Sequence, residues 1–551
     1  MNDMLTIANK IAEEKENIRR AIELRGVEIP VSTPLTDYAA KIASIDTQNQ
    51  ASEIYYKDNS FDEDVTVFTV PGDCGVIADY ALSGKTNLER IDLNNTTAVL
   101  NGGCKGCKNL KEIATNKLKH VGANAFSDCG FENLTNDTIA RVGANSFTQN
   151  QRLLSVELTE AKTIEAGAFA ENPTLENVKI NKCTTLGNQA FKNNANLTSI
   201  EAENVEEIGE SCFSYCGSSG FTTYSRKMDV NFPKVKYIAD NNFYNSWGVQ
   251  NINMEECEFI GDYCFYLDSS TTSQIQNLET INLPKVKHIN NNCFSANTGT
   301  YGYGSFGDIY LPECTSIGNY CFTKPSISPN GNRTLTVSEE GCTIGTKCFM
   351  YSSYNGAIQG TPTTIAGKLT SVGMGSFVYS SSSYTNPVVI DIDFSHLQYL
   401  TGLYTSSSSD NGVFRINGGA SNSWGQPYFN FVGGMIDFSS LIECRYDNNY
   451  DKTSSTYIIP IFNEQGGTRG HHNVTKMWVP NTCQSINCGL AGRSATSPLH
   501  IYTDASEGKA TWYFGGGTVS TDSKLVAGSA SPYIVMHFGT THDDFVNAIH
   551  E

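Results

Sequence analysis

One six-residue pattern constrains this chain more than any other feature: an aliphatic residue, usually Gly, two variable residues, a small residue, then Phe. It recurs at Val121 to Phe126, Val142 to Phe147, Ile164 to Phe169, Leu186 to Phe191, Ile208 to Phe213, Ile238 to Phe243, Ile260 to Phe265, Ile289 to Phe294, Ile317 to Phe322, Ile344 to Phe349 and Val372 to Phe377. The early phenylalanines, Phe126, Phe147, Phe169, Phe191 and Phe213, step by 21 or 22 residues, and Cys104 and Leu82 carry the 22-residue step backwards. A fixed period of that size marks an array of stacked supersecondary units. It also answers a size problem, because 551 residues exceed what one compact core supports.

Between signatures stands a strand-like unit, as in Leu153-Leu154-Ser155-Val156-Glu157-Leu158, Leu197-Thr198-Ser199-Ile200 and Leu278 to Val286. Its aliphatic residues are expected to point inward and align with those of neighbouring coils, so stability is collective. Weaker strand units at Val388 to Phe394, Met435 to Leu441 and Val474 to Pro480 carry the array to about residue 490. Ten cysteines fall at two phases of the repeat. Cys212, Cys264, Cys293, Cys321 and Cys348 directly precede the Phe, and Cys183, Cys257, Cys314, Cys342 and Cys483 share another position. Both phases are core positions, where a free Cys acts as a small hydrophobe. Reduced thiols and folding in a reducing cytosol are therefore expected.

The strand unit followed by Ile-Gly-x-x-Cys-Phe resembles BspA-like leucine-rich repeats over about residues 76 to 490, and the period lies in the leucine-rich-repeat range. The resemblance implies a repeat solenoid, mainly β, that presents a binding surface and carries no catalytic site. Such repeats occur in bacterial and protist surface adhesins and in virion proteins of bacteriophages. The segment from Ile11-Ala12-Glu13-Glu14-Lys15 to Ile45 also resembles the short helical leader of tail and other structural proteins of phages infecting gut bacteria, including crAss-like phages.

That leader reads as a helical hairpin. Ile7, Ile11, Ile18 and Ile22 form one stripe, and Leu35, Tyr38, Ala39, Ile42 and Ile45 a second. Gly26 can end the first helix, and Thr33-Pro34 cap and open the second. Too small to be stable alone, the hairpin is expected to dock on another protein or on its own copies, through Ile7, Ile11, Ile18, Ile22, Leu35, Tyr38 and Ile42. The expected organisation is a docking segment over 1–50, an N-terminal cap over 51–75, regular repeats over 76–380, divergent repeats with long Ser/Tyr/Gly loops over 381–490 and a small C-terminal cap over 491–551.

In the second half the coils lengthen: Phe265, Phe294, Phe322, Phe349 and Phe377 step by 27 to 29 residues, each addition following the Phe. Insertions at one phase emerge along one edge of a solenoid. They carry Tyr301 and Tyr303, Tyr351 and Tyr354, Tyr379 and Tyr384, Tyr404, and Trp424 and Tyr428, set among Ser, Gly and Asn. This is the chemistry of adaptable recognition loops. These nine residues are the candidate binding set, with packing of the rings against neighbouring loops as the competing account.

Other constellations read as structure. Gly302, Gly304 and Gly307 lead into the strand Asp308 to Leu311 instead of a helix, so they are not a dinucleotide fingerprint. Cys104 and Cys107 lack a second pair at zinc spacing. His471-His472 have no obvious third ligand, and Glu206-Glu207, Glu255-Glu256 and Glu339-Glu340 sit in connections between strand and signature. No G-x-S-x-G elbow occurs. No catalytic residue, metal or cofactor is expected. A net charge of −19 without a basic run disfavours nucleic acid and anionic membranes. No apolar stretch approaches the roughly 20 residues of a spanning helix. Met1 to Leu5 runs into a Lys/Glu-rich helix without an apolar h-region, which disfavours the classical secretory route.

The expected function is a bacteriophage virion component, tail or fibre, assembled in the host cytoplasm. Its helices would meet other virion proteins, and its loops a host surface glycan or protein; self-association is left open. The alternative is a bacterial cell-surface adhesin.

Overall fold

In the computed structural model the described residues are 53–55, 64–217, 227–268, 280–295, 309–323, 334–349, 364–380, 388–401, 414–417, 429–431, 435–444, 462–464, 474–483, 499–505, 513–514, 517–518 and 534–549. The chain divides into two compact units, Met1–Asn172 and Pro173–Glu551. Each is a solenoid of short parallel strands with little helix, in line with the repeat reading of the sequence.

In the first unit the strands Glu53–Tyr55, Cys74–Ile77, Ala98–Val99, His120–Val121, Arg141–Val142 and Thr163–Ile164 lie side by side in that order, all parallel. In the second, Thr185–Leu186, Glu207–Ile208, Tyr237–Ile238, Phe259–Ile260, His288–Ile289, Ser316–Ile317, Cys342–Ile344, Leu369–Gly373, Tyr399–Thr401 and Glu443–Cys444 repeat the arrangement. The register sets each signature aliphatic beside the next: Ile208, Ile238, Ile260, Ile289, Ile317, Ile344, Val372 and Leu400 form one buried column. The strand units expected from the sequence build a second parallel set. It pairs Ser155–Leu158 with Asn133–Asn136 in the first unit, and runs through Met228–Asn231, Val249–Asn253 and Thr280–Asn282 to Phe429–Phe431 in the second. The alternation of Val156 and Leu158, both buried, with half-exposed Ser155 and Glu157 shows one face turned inward.

The signature phenylalanines stack face to face. Phe126, Phe147 and Phe169 are 5.4 and 5.2 Å apart in the first unit. From Phe191 through Phe213, Phe243, Phe265, Phe294, Phe322 and Phe349 to Phe377 the steps are 5.0 to 5.9 Å. Each such pair is worth about 0.5–1.5 kcal/mol beyond the area it buries. The signature glycine is explained by close approach of the previous coil. A Cβ on Gly143 would lie 2.5 Å from the Val121 carbonyl oxygen, and one on Gly318 would lie 2.7 Å from the Asn290 carbonyl carbon.

A polar column accompanies the rings, three residues beyond Phe147, Phe169, Phe191 and Phe243. Buried Asn150 accepts the Cys129 N–H at 2.6 Å and donates to the Phe126 and Phe147 carbonyls. Asn172 does the same for the Asn150 N–H and the Phe147 and Phe169 carbonyls. In the second unit Asn194 donates to the Phe191 carbonyl, and Ser246 accepts the Cys216 N–H and donates to the Phe213 carbonyl. These side chains satisfy the backbone where the chain turns through the interior.

The fifteen cysteines whose side chains are described are buried and carry thiols. Those before the Phe are also donors: Cys264 to the Ala239 carbonyl at 3.2 Å, Cys293 to that of Gly261 at 2.8 Å and Cys321 to that of Asn290 at 3.3 Å. Burial pushes the Cys107 thiol up to about 11 and those of Cys216 and Cys257 to about 12, which keeps them protonated and unreactive.

The C-terminal end of the second unit is closed by the short helix His542–Asn547, begun by a capping box between Thr541 and Asp544. Its Phe545 is buried against Trp478 and Tyr502. The Lys476 ammonium, itself buried, donates to the carbonyls of Phe545, Val546 and Ala548 at 2.6 to 2.9 Å, closing the helix's last turn. No helix among the described residues is long and apolar enough to cross a membrane.

Candidate functional site

Two backbone positions of the repeat recur in the left-handed region. Two residues before the Phe, φ is positive at Asn124, Asn145 and Gly167 in the first unit. In the second it is positive at Gln189, Ser211, Asn241, Tyr263, Asn292, Tyr320, Lys347 and Gly375. Two residues after the Phe it is positive at Asp128, Gln149 and Glu171, and at Asn193, Tyr215 and Asn245. This conformation crowds Cβ against the following carbonyl, so Gly and Asn hold it at least cost and an aromatic residue is a costly choice. Tyr215, Tyr263 and Tyr320, with φ of 60°, 56° and 56°, nevertheless occupy it. They remain 40%, 39% and 37% exposed, so burial alone does not offset the strain.

Three successive coils of the second unit bring tyrosines together. Tyr215 and Tyr244 meet edge to face at 5.7 Å, Tyr244 and Tyr266 stack at 5.5 Å, and Tyr263 stands across Tyr266 at 5.3 Å. Backbone bonds between coils hold the rings in step: the Tyr215 N–H donates to the Tyr244 carbonyl and the Asn245 N–H to that of Tyr266, both at 2.7 Å. The Tyr244 hydroxyl donates to the Asp268 carboxylate at 2.9 Å. Asn245 clasps the Asp268 backbone, accepting its N–H at 2.5 Å and donating to its carbonyl at 3.2 Å. Partial burial, then the Asp268 charge, pushes the Tyr266 phenol up to about 12 and that of Tyr244 higher. Both remain hydrogen-bond donors at any physiological pH. Two coils further on, the Lys347 ammonium lies 5.7 Å from the Tyr320 ring centre.

This patch can stack against a ligand and hydrogen-bond to it. Among the described residues no group of three or more His, Cys, Asp and Glu could hold a metal. The acidic pairs named from the sequence fall at turns and strand edges, with Glu206, Glu207, Glu255, Glu339 and Glu340 all exposed. Cys104 and Cys107 are buried in the core.

Of the nine aromatic residues expected to bind, Tyr301, Tyr303, Tyr351, Tyr354, Tyr384, Tyr404, Trp424 and Tyr428 lie outside the described residues. Tyr379 stands not in a loop but in the strand Phe377–Ser380, opposite Ile416 of Phe414–Asn417, because the coil continues in extended backbone past its Phe. The docking residues Ile7, Ile11, Ile18, Ile22, Leu35, Tyr38 and Ile42 also lie outside the described residues, as do His471 and His472. The tyrosine patch was missed by reading only the inserted segments. Its signal is a Tyr next to the signature itself, in Phe213-Ser214-Tyr215, Phe243-Tyr244, Tyr263-Cys264-Phe265-Tyr266 and Tyr320-Cys321-Phe322.

The sequence matches the family described as BspA type leucine-rich repeat region, six copies, over residues 37–153, 119–230 and 228–356. The fold is similar to that of the pneumococcal vaccine antigen PcpA, at 15% identity and a TM-score of 0.31, covering 64% of this chain and 86% of that one. A leucine-rich repeat protein from Bacteroides ovatus is similar at 11% identity and a TM-score of 0.27, covering 76% and 87%. A leucine-rich cell surface protein from Faecalibacterium prausnitzii is similar at 15% identity and a TM-score of 0.24, covering 79% and 92%. No curated protein matches the chain.

Proposed function

Since this chain belongs to the BspA-type leucine-rich repeat family, we propose that it is a non-enzymatic recognition protein whose ligand meets the edge beside the signature phenylalanines. One observation carries the reading: half-exposed tyrosines held in strained backbone at the turns, against a core that needs none of them. The more specific proposal is a structural component of a bacteriophage virion, tail or fibre, that faces the host. It is supported by the Ile11 to Ile45 leader, read as a docking hairpin for other virion proteins. Buried thiols also suit a particle assembled in a reducing cytosol.

Mass spectrometry of purified phage particles is the test of location. The chain should be present at a fixed ratio to known structural proteins, and deleting Met1 to Asp46 should abolish its incorporation while leaving the solenoid folded. A truncated chain that still co-purifies stoichiometrically overturns the docking role. Several intrachain disulfides found by mass mapping without reductant would support a cell-surface adhesin instead.

A further inference from the structure

We propose that the patch formed by Tyr215, Tyr244, Tyr263, Tyr266, Asn245 and Asp268 is a binding site for neutral oligosaccharide. The proposal rests on the recognition reading above and names its ligand class. The first argument is conformational. At the positions of Tyr215 and Tyr263 most other coils place Asp, Gln, Glu, Asn, Ser or Gly, the exceptions being Tyr80, Tyr320 and Lys347. Phe243 and Phe265 also stand at positive φ, but their rings are buried in the stack, whereas the rings of Tyr215 and Tyr263 are left well exposed, so core packing does not account for them.

The second argument is geometric. Tyr244 and Tyr266 are inclined by only 21° and sit 5.5 Å apart, while Tyr215 and Tyr263 are turned across them by 60° and 80°. Aromatic faces are electron-rich, and the C–H face of a pyranose is positively polarised, so the two attract while water is released. The sugar's hydroxyls then need partners at the rim. Asp268 supplies an acceptor whose backbone is clasped by Asn245, and the phenolic O–H groups supply donors and acceptors.

The third argument is charge. Asp240 and Asp262 flank the patch on its own coils, where each accepts the N–H of the next coil at 2.8 Å, and Asp268 adds a further carboxylate. Sialylated, sulfated and phosphorylated ligands are repelled. A protein partner would require a desolvated apolar centre. Here each ring carries a hydroxyl and a carboxylate, Asp268, is bonded to one of them, an arrangement suited to a small polyhydroxylated ligand. Affinity at one site should be weak, on the order of millimolar, and many copies on one particle would multiply it.

The test uses the full chain on immobilised mannan, β-glucan and galactan, with polysialic acid and heparin as anionic controls, and on intact gut bacterial cells. At least one neutral polysaccharide should retain the protein and neither anionic one should. The double variant Tyr244→Ala/Tyr266→Ala should reduce retention at least tenfold. Tyr263→Asn separates binding from folding, since Asn suits the left-handed backbone: retention should fall while Tm holds or rises. Periodate oxidation of the cells, which cleaves vicinal diols, should abolish binding, and trypsin treatment should not. Equal retention of variant and parent, or a fall in Tm parallel to the loss for Tyr263→Asn, overturns the site. Cell binding abolished by trypsin and indifferent to periodate overturns the sugar but leaves the recognition reading intact. A parent protein that binds no cells overturns both.

Discussion

The two units build their interiors alike and their turns differently. Phe126, Phe147 and Phe169 in the first unit and Phe191 through Phe377 in the second form ring stacks of the same kind. The left-handed position before the Phe holds Asn124, Asn145 and Gly167 in the first unit; in the second it holds Gln189, Ser211, Asn241, Asn292 and Gly375 but also Tyr263, Tyr320 and Lys347. A stacked residue has a neighbour on each side, so one change disturbs two interfaces. A turn residue answers to its own φ, to its contact with the next coil and to what lies outside. Function is therefore expected where the units differ, and stability where they agree.

The sharpest way to break this comparison is to remove one ring from each unit. Phe147 is held between Phe126 and Phe169, and Phe294 between Phe265 and Phe322 at 5.2 and 5.1 Å; both are fully buried. Phe147→Ala and Phe294→Ala should each cost about 3–5 kcal/mol in denaturant unfolding. Markedly unequal losses would show that the two cores are not built on the same terms.

A smaller effect is expected at the polar column. Asn150→Ala leaves the buried Cys129 N–H and the Phe126 carbonyl without their partner, while the Phe147 carbonyl keeps its bond from Asn172. Each orphaned group costs about 1–3 kcal/mol. Ser246→Ala removes one acceptor and one donor, with the Cys216 N–H at a longer 3.2 Å, and should cost less. A Ser246→Ala loss as large as that of Asn150→Ala would mean that Ser replaces Asn without weakening the column.

What the sequence made legible follows the same division. Ile208, Ile238 and Ile260, or Phe213, Phe243 and Phe265, must look alike because each packs on its own copy, so period and core could be read directly. The Asn150 and Asn172 column also recurs, but Cys216 and Ser246 stand in the same place, and only hydrogen-bond geometry shows these residue types doing one job. Tyr215, Tyr244 and Tyr266 are adjacent only because coils of different length still stack in register, a distance that letter spacing does not contain. The thiols read as small hydrophobes are also donors to the previous coil, which composition could not reveal.

Ion pairs sharpen the comparison further. Arg141 Nε and Glu165 Oε1 are 2.8 Å apart in the first unit, with side chains only 14% and 11% exposed, and Glu165 also accepts the Ala144 N–H. Lys287 and Glu258 in the second meet at 2.9 Å but are 48% and 38% exposed. The Glu258 bond raises the Lys287 pKa, and the same bond lowers that of Glu258. Stability from Glu258 is therefore present above the usual carboxylate range and is lost as pH falls through its lowered pKa. Arg141→Ala should cost about 1–3 kcal/mol, since it takes the cation from a mostly buried carboxylate, and salt should hardly change the result. Lys287→Ala should shift Tm little, and less still in high salt, because water screens the exposed pair. A salt-insensitive loss at Lys287 would contradict its exposure.

The smallest effect tests the turn itself. Asn145 occupies the left-handed position in the first unit with φ of 53°, exposed, beside Gly167, where a Cβ would lie 2.2 Å from the Asn145 Oδ1. Asn145→Tyr places before a first-unit Phe the residue found at this position in Tyr263 and Tyr320, and at Tyr80 before Leu82. It keeps the ring stack, the polar column and the Arg141 pair untouched, so the change in stability reports the left-handed strain and little else. The expected cost is about 1 kcal/mol, the penalty for a bulky side chain in this region relative to Asn. Tyr320→Asn in the second unit should recover a similar amount, less whatever the Lys347 contact contributes. Opposite signs of similar size would mean that the second unit carries its tyrosines at a standing cost in stability, as expected of residues kept for recognition. If Asn145→Tyr proves neutral, the position tolerates Tyr freely, and the strain argument for the patch loses its basis even where the rings still bind.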